Sequence, residues 1–153
     1  MSQAFDADAF MNQVTESAGD TTVTPIPADT YVAMIDDVKV RTGNKDGRGW
    51  VSLDISYMIN DDSGKIAAEI GRPPKLSQGV FLDVSDSGGL DMGKGKNVTL
   101  NRLREAVDQN RQGVAWAPPM LKGAGPLKIV VTQEPDKSDS TIIYNRVKSF
   151  GKV

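Results

Sequence analysis

The stretch WVSLDISYMI, residues 50–59, alternates apolar and polar side chains without interruption. Successive side chains of a β-strand point to opposite faces, so this period of two predicts a strand with one buried and one exposed face. The face predicted to be buried consists of Val51, Leu53, Ile55, Tyr57 and Ile59. The opposite face then carries Trp50, Ser52, Asp54, Ser56 and Met58. The alternation therefore assigns a large aromatic ring, that of Trp50, to the polar face.

Further strands are predicted on both sides of this segment. Upstream, TYVAMIDDVKV at residues 30–40 alternates as far as Ile35 and resumes out of phase at Val38, which predicts a β-bulge near Asp36 and Asp37. The turn TGNKDGRG between these two strands is rich in glycine and charge and predicts a hairpin. Downstream strands are predicted at Gly79 to Ser85, in LKIVVTQE at 127–134 and in TIIYNRVKSF at 141–150.

Between the third and fourth strands, VTLNRLREAVDQN at residues 98–110 has apolar side chains at helical spacing. The resulting order is β-β-β-α-β-β. Short strands with one apolar face need closure or a second layer to cover their edges, and a five-stranded OB-fold barrel with a helix at one end provides it. We therefore predict an all-β OB-fold barrel for residues 30–150. A ferredoxin-like fold would need two helices, and an SH3-like barrel none.

Residues 1–29 are predicted to form a flexible, partly disordered N-terminal arm. They mix Asp, Ser, Thr, Gly and Pro around a short amphipathic stretch at Phe10, Met11 and Val14. The net charge of the chain is -2, but residues 1–38 hold seven acids and no base, so the rest carries 18 bases and 13 acids. Two interpretations of the acidic arm stay open: a solubilising tail, or a segment that competes for the ligand site or recruits a partner.

The chain contains no cysteine and no histidine. Disulfides, thiol nucleophiles, Ser-His catalysis and the usual zinc sites are thereby excluded, and we predict a protein that is not an enzyme and uses no cofactor or metal. Gly88 to Lys94 has the spacing of a phosphate-binding P-loop, but Gly95 stands where Ser or Thr should hold magnesium. The sequence lacks a signal peptide pattern and a membrane-span-length apolar run, which predicts a soluble cytoplasmic protein without a membrane partner.

Several segments together resemble phage-encoded OB-fold single-stranded DNA-binding proteins, over roughly residues 24–150. They are PIPADTYVAMIDDVKV, the paired strands after it, NVTLNRLREAV, LKGAGPLKIVV and YNRVKSF. The elements that carry the resemblance are the prolines before the first strand, the leucine-rich helix, the step from Leu121 to Gly123, and Asn145 to Val147. The resemblance implies an OB fold without a catalytic site, single-stranded DNA as ligand, and the cytoplasm of the infected bacterial host as location.

Single-strand binders combine cations that neutralise phosphates with aromatic faces on which bases stack. Two regions are candidates. In the first, Trp50 lies beside Arg48 and Lys45, and Phe81 joins them if the second and third strands pair. In the second, the fifth strand is predicted to place one set of side chains on one face, opposite Ile143 and Val147; this set is Tyr144, Arg146, Lys148 and Phe150. The alternative for each ring is an ordinary core, rim or dimer contact.

Phosphate contacts are predicted from cations that flank the aromatic face, namely Lys39, Arg41, Lys65, Arg72 and Lys75. The alternative for each of them is a solvated surface charge. Asp54 and Asp83 oppose this prediction, because the alternation places them on the face of Trp50 and Phe81, where they would repel a phosphate backbone.

These observations favour sequence-tolerant binding of single-stranded DNA, which protects transient single strands in phage DNA replication or recombination. The expected partners are single-stranded DNA and phage replication or recombination proteins, and a homo-oligomer is allowed. The alternative is a structural or adaptor OB domain that binds protein in a virion or replisome. A small nuclease has only dispersed acids in its favour.

Overall fold

A computed structural model describes residues 4–20 and 22–153. Its helices and strands follow one another along the chain as α1 (Ala7–Met11), β1 (Asp29–Lys45), β2 (Arg48–Ile59), α2 (Lys65–Ile70), β3 (Lys75–Phe81), α3 (Val98–Ala106), a 3-10 helix (Pro118–Leu121), β4 (Leu127–Pro135) and β5 (Ile143–Lys152). The predicted order of three strands, a helix and two strands is present, with two short helices added at α1 and α2.

The five strands form one antiparallel sheet in the order β3-β2-β1-β4-β5. The first strand is 17 residues long and pairs with β4 at its beginning and with β2 along the rest. No strand pairing joins β3 to β5 within the residues described, so the sheet is open at these two edges. The prediction of an all-β fold is confirmed.

The predicted bulge in β1 is confirmed. Ile35 pairs with Tyr57 and Asp37 pairs with Ser56, which leaves Asp36 as the extra residue. An inserted residue reverses the alternation of the strand after it. Val38 accordingly faces the same side as Ile35 and packs against the core.

The core lies on the face that the alternation of β2 predicts. Leu53, Ile55, Tyr57 and Ile59 are all at most 2% exposed. They share one cluster with apolar side chains from every other strand and from α3, among them Ile35, Val80, Leu100, Leu103, Leu127, Ile129 and Val147. Burial raises the pKa of the Tyr57 hydroxyl above its usual value, and this hydroxyl donates a hydrogen bond to Gln78 Oε1 at 2.8 Å.

The predicted bounds of the third strand, Gly79 to Ser85, are wrong. The strand begins at Lys75 and ends at Phe81, because a loop starts immediately afterwards. Asp83 and Asn97 exchange backbone and side-chain hydrogen bonds, from Asp83 N to Asn97 Oδ1 and from Asn97 N to Asp83 Oδ2, both at 2.8 Å. This reciprocal pair ties the loop after β3 to the start of α3 and removes Asp83 from the strand.

The fifth strand begins two residues later than predicted, at Ile143. Thr141 belongs to the preceding turn, where its backbone N–H and its hydroxyl both donate to Asp139 Oδ1. A side chain committed to such a local turn cannot extend the strand ladder. The predicted charged turn at PDKSDS is therefore longer than the sequence pattern indicates.

The N-terminal residues divide into two parts. Residues 4–20 are exposed throughout, and α1 contains no buried residue. Ile26, by contrast, is 1% exposed and belongs to the core. Its backbone N–H donates to Asn145 Oδ1, and its carbonyl accepts from Asn145 Nδ2, each at 2.8 Å. The segment before residue 30 therefore contributes a side chain to the core.

No helix in the described residues is long and apolar enough to cross a membrane.

The two hydrogen bonds between Asn145 and Ile26 lead to a stability prediction. We expect Asn145→Ala to lower the free energy of unfolding by about 1–3 kcal/mol, because it leaves the buried N–H of Ile26 without an acceptor. The carbonyl of Ile26 keeps the hydrogen bond that Gln133 Nε2 donates at 2.9 Å. Urea denaturation measures the change. Asn110→Ala is the matched control, since Asn110 is exposed, and its effect should stay within about 0.5 kcal/mol. Equal midpoints for the two variants would contradict a stabilising role of this contact.

Candidate nucleic-acid interface

The face of β1, β2 and β3 opposite the core is the candidate interface and is called the outer face here. Directly paired residues of antiparallel strands lie on the same face. Gly43 pairs with Trp50, Arg41 pairs with Ser52, and Ser52 pairs in turn with Phe81. The register therefore brings the predicted aromatic residues of β2 and β3 together.

Trp50 and Phe81 form an aromatic pair, as the sequence predicted for paired second and third strands. Their ring centroids lie 5.8 Å apart, and the ring planes meet at 83°. This edge-to-face geometry is favourable for aromatic rings and adds about 0.5–1.5 kcal/mol to the gain from burial. The pair fixes the position of both rings on the outer face.

Gly43 allows the indole of Trp50 to lie against the backbone of β1. A Cβ atom at position 43 would lie 2.1 Å from Trp50 Cζ2, which no side chain can occupy while the ring stays in place. The sequence analysis did not identify Gly43. A hairpin with its two-residue turn at Asp46 and Gly47 pairs Gly43 with Trp50, so the register could have predicted this contact. One side of the Trp50 ring is consequently covered, and the side chain is only half-exposed.

Phe81 is the more accessible ring. It is 69% exposed, a large value for an aromatic side chain. Of the two rings, Phe81 is therefore the better candidate for stacking. A flat, exposed ring held from below by another aromatic residue can accept a stacked base.

Arg41 connects the aromatic pair to Asp54. Its guanidinium carbon lies 5.1 Å from the centroid of the Trp50 ring, within the range of a cation–π contact. Its Nε donates to Asp54 Oδ2 at 2.9 Å. The carboxylate of Asp54 is therefore neutralised on the sheet, and Asp83 is held at the start of α3, so the objection raised by these two acids is weaker than the sequence suggested.

Two cations remain without an ion pair beside the aromatic rings. The hairpin turn at Asp46 and Gly47, both with positive φ, sets Lys45 directly opposite Arg48. An open cavity of about 640 Å³ is lined by Lys45, Asp46, Arg48, Gly49 and the two rings. Within the described residues neither Lys45 nor Arg48 forms a salt bridge.

Other predicted phosphate ligands are engaged elsewhere. Lys75 Nζ lies 2.7 Å from Asp36 Oδ2, and the hydrogen bond with this carboxylate raises the pKa of Lys75. Lys39 Nζ lies 3.8 Å from Asp37 Oδ2. Arg72 Nη1 donates to the carbonyl of Thr24 at 2.7 Å and so contacts the segment before β1. These ion pairs arise from the bulge acids, which the sequence analysis treated only as a break in the alternation.

The fifth strand does not place its four predicted residues on one face. Val131 pairs with Val147 and Val130 pairs with Ser149, so Lys148 is an extra residue in β5. After this bulge Phe150 pairs with Ile129 and packs against the core. The prediction that Phe150 shares a face with Tyr144 is therefore wrong, and its ring is a core contact.

Tyr144 and Arg146 lie before the bulge and are exposed. Arg146 Nη1 donates to Glu134 Oε1 at 3.3 Å on the neighbouring strand. A hydrogen bond with Asp136 raises the pKa of the Tyr144 hydroxyl. Tyr144 thus supplies an accessible ring beside the turn that joins β4 and β5.

The open edges of the sheet face each other across a cleft of about 460 Å³. Its walls are Ser77 to Phe81 of β3, Thr99 of α3 and Asn145 to Lys148 of β5. Phe81 lines both this cleft and the cavity at Lys45 and Arg48. The two aromatic regions that the sequence presented as rivals therefore meet at Phe81.

A third cavity, of about 380 Å³, continues the cleft between α3 and β5. It is lined by Arg102 and Glu105 of α3 and by Lys148 and Lys152 of β5. Arg102 is exposed on α3, and no pattern in the sequence aligns it with the end of β5. Lys148 was predicted from the fifth strand, whereas Arg102 and Lys152 are cations of the candidate interface that the sequence analysis missed.

The described residues contain no group of three or more His, Cys, Asp or Glu side chains that could hold a metal ion. Comparison of the chain with models of known protein families finds no match, and the curated proteins contain no significant relative. The resemblance to phage single-stranded DNA-binding proteins therefore stays a prediction from the residues.

The contact between Gly43 and Trp50 can be tested by adding one methyl group. We expect Gly43→Ala to push the indole off β1 and to lower the free energy of unfolding by about 1 kcal/mol, the low end for overpacking, because a half-exposed ring can move. In a Trp116→Phe background, the fluorescence emission of Trp50 should shift to longer wavelength.

Gly49→Ala is the matched control, because a Cβ atom there meets no atom closer than 3.9 Å. Its emission maximum should equal that of the parent. An unshifted spectrum for Gly43→Ala would show that Trp50 does not lie against Gly43.

Proposed function

We propose that this protein binds single-stranded DNA without strong sequence preference, along the outer face and the cleft that adjoins it. The observation that carries the proposal is the exposed ring of Phe81, which is supported by Trp50 and bordered by Lys45 and Arg48. These two cations form no salt bridge with any described residue. Exposed aromatic rings next to cations are what a single strand requires, since bases stack and phosphates are neutralised.

The proposal includes an OB-type arrangement of the sheet. An OB-fold is a five-stranded, partly open Greek-key barrel, and it binds oligonucleotides on its second and third strands and on the loops between strands one and two and strands four and five. In this chain β1 pairs with both β2 and β4, and the edges of β3 and β5 line one cleft. Phe81, Lys45 and Arg48 lie at the corresponding strands and first loop, and Tyr144 adjoins the second loop.

A path for the strand follows from the cavities. Phe81 is common to the cavity at the first hairpin and to the cleft between β3 and β5. Lys148 continues the cleft towards Arg102 and Lys152. A single strand on this path would meet a free cation on both sides of the stacking ring, and each such contact releases counterions.

The proposed role is to cover transient single strands during phage DNA replication or recombination, with no chemical step. This role rests on the resemblance to phage single-stranded DNA-binding proteins. It also rests on the kind of contacts proposed, which are base stacking and phosphate neutralisation and not hydrogen bonds to base edges. A stacking ring accepts any base, because every base has a π-face.

Removal of the exposed ring tests the proposal. We expect Phe81→Ala to weaken binding of a fluorescent oligothymidine by about 5–150-fold, which corresponds to about 1–3 kcal/mol for one stacked base. Fluorescence anisotropy at fixed salt measures the change. Because Phe81 is mostly exposed, the free energy of unfolding should fall by no more than about 0.5–1.5 kcal/mol, the contribution of its ring pair with Trp50. Urea denaturation then shows that the variant is folded under the binding conditions.

Val40→Ala is the control for Phe81→Ala. Val40 is 64% exposed on β1, on the face opposite to that of Arg41, so its loss removes apolar surface away from the proposed path. Its affinity should equal that of the parent. Equal affinities for Phe81→Ala and the parent would remove Phe81 from the site.

The cations at the hairpin are tested by the salt dependence of binding. We expect the double variant Lys45→Ala with Arg48→Ala to flatten the plot of log K against log salt by about 0.7 per lost phosphate contact. Lys128→Ala serves as the control, because Lys128 is exposed on β4 and lines none of the cavities on the proposed path. An identical slope for the double variant and the parent would contradict phosphate contacts at this hairpin.

The second candidate function is that of an adaptor domain that binds protein. It is favoured by the free strand edges of β3 and β5, whose backbone groups could accept an extended peptide, and by the ion pairs that already engage Lys39, Arg41 and Lys75. A binding measurement on the parent protein distinguishes the two functions. Absence of binding to single-stranded DNA at low salt would favour the adaptor.

A further inference from the structure

A cavity of about 440 Å³ lies among α3, the loop before it and the loop after it, and it shares no lining residue with the proposed DNA path. Its walls are mostly apolar and include Leu90, Met92, Val114, Trp116 and Pro118. The one charged side chain that lines it is Arg104. The cavity therefore combines apolar walls with a single cation.

Arg104 is a buried cation without a counterion among the residues that the structure describes. It is 5% exposed, and within the described residues no carboxylate forms a salt bridge with it. Its guanidinium carbon lies 4.2 Å from the centroid of the Trp116 ring, and Nη2 donates to the carbonyl of Gln109 at 3.1 Å. Its Nε is buried and finds no acceptor in this part of the chain. A buried charge is costly unless it is paired, so Arg104 points to an anionic ligand.

The geometry around Arg104 is fixed by neighbouring hydrogen bonds. Trp116 Nε1 donates to Gln109 Oε1 at 2.9 Å, and Gln109 Nε2 donates to the carbonyl of Met120 at 2.8 Å. Trp116 and Arg104 are thereby held in one arrangement before a ligand arrives. Burial also lowers the pKa of Arg104, in line with a guanidinium that lacks a nearby carboxylate.

The N-terminal arm has the complementary chemistry. Its short helix α1 begins at a cap formed by Asp6, whose Oδ1 accepts from Ala9 N at 3.1 Å. The rings of Phe5 and Phe10 lie 5.4 Å apart and are 75% and 57% exposed. Asp8 lies between these rings in the sequence, and no base occurs before Lys39. The arm thus presents an uncovered aromatic pair beside a carboxylate that the cap does not use.

We propose that the segment Phe5–Met11 docks into the cavity at Arg104, with the carboxylate of Asp8 paired to the guanidinium and a phenylalanine ring against the apolar walls. The inference does not depend on DNA binding. Residues 12–23, which separate the segment from Thr24, can extend by about 3.3–3.6 Å each, which gives about 40 Å. This length lets the arm reach across its own domain or into a second copy.

A peptide segment fits this cavity better than a nucleic acid does. A groove that follows a phosphate backbone needs a series of cations, whereas this cavity offers one. One face of Trp116 is already covered by Arg104, so it is not free on that side for a base. Apolar walls around a single cation match one carboxylate beside one aromatic side chain.

Paramagnetic broadening in the full chain tests the docking. The chain has no cysteine, so Gln13→Cys provides a single attachment point for a nitroxide beside α1. We expect the Nε1–H signal of Trp116 to lose intensity while that of Trp50, the other tryptophan, keeps it. Dilution separates the two routes, since broadening within one chain persists and broadening between copies fades.

Arm variants decide the test, because they leave the packing around Arg104 untouched. Asp8→Asn with Phe10→Ala should restore the Trp116 signal, whereas Asp20→Asn, a loss of charge elsewhere in the exposed arm, should not. Broadening of Trp50 instead of Trp116, no broadening, or broadening that survives the double variant would overturn the proposal. So would a Trp116 signal that responds to oligothymidine and not to the arm.

Discussion

The first strand is the element on which both halves of the fold depend. Ala33, which is completely buried, pairs with Leu127 of β4 and with Ile59 of β2, so the two halves of the sheet meet at one residue. Beyond it Ile35 exchanges backbone hydrogen bonds with the loop before β4, from Ile35 N to the carbonyl of Ala124 and from Gly123 N to the carbonyl of Ile35. Ala33 belongs to the same core cluster as Ile59 and Leu127, so the two halves of the sheet share one core.

The bulge that follows this point sets the chemistry of the outer face. Since Asp36 is inserted, Arg41 and Gly43 fall on the outer face and not on the core face. Without the inserted residue Val38 would leave the core face, and Arg41 would lie on the face opposite to Trp50. The position of the Trp50 ring on Gly43, and through it that of Phe81, is therefore a consequence of one extra residue in β1.

Much of this fold could be predicted from the sequence, because burial on one face leaves a period of two in the residues. The alternation of β2 gave the core face, and the phase change in β1 gave the bulge. The end of β3 could not be predicted in this way, since Leu82 and Val84 continue the alternation although the pair of Asp83 and Asn97 turns the chain into a loop.

Only part of the candidate site could be predicted, again because only regular strand pairing leaves a pattern in the sequence. Neighbouring residues across paired strands, such as Trp50 and Phe81, follow from register once the pairing is assumed. The bulge at Lys148 leaves no such signal, because Tyr144, Arg146 and Phe150 all stand at even spacing in the sequence. Ion pairs between distant charges, such as Lys75 with Asp36, depend on side-chain reach and not on any local pattern. The apolar cavity at Arg104 is formed by three separate segments, so it could not be predicted from a local pattern either.

The ion pairs on the outer face explain how a chain of net negative charge can offer a cationic path. Exposed pairs such as Lys39 with Asp37 and Arg41 with Asp54 are worth only about 0–1 kcal/mol each. A phosphate that approaches can therefore replace the carboxylate at little cost, whereas an unpaired cation such as Lys45 needs no exchange. We expect the free cations to set where a strand first binds and the paired ones to extend the contact. Under the proposed function, the acids would then limit the affinity of the outer face for DNA without preventing binding.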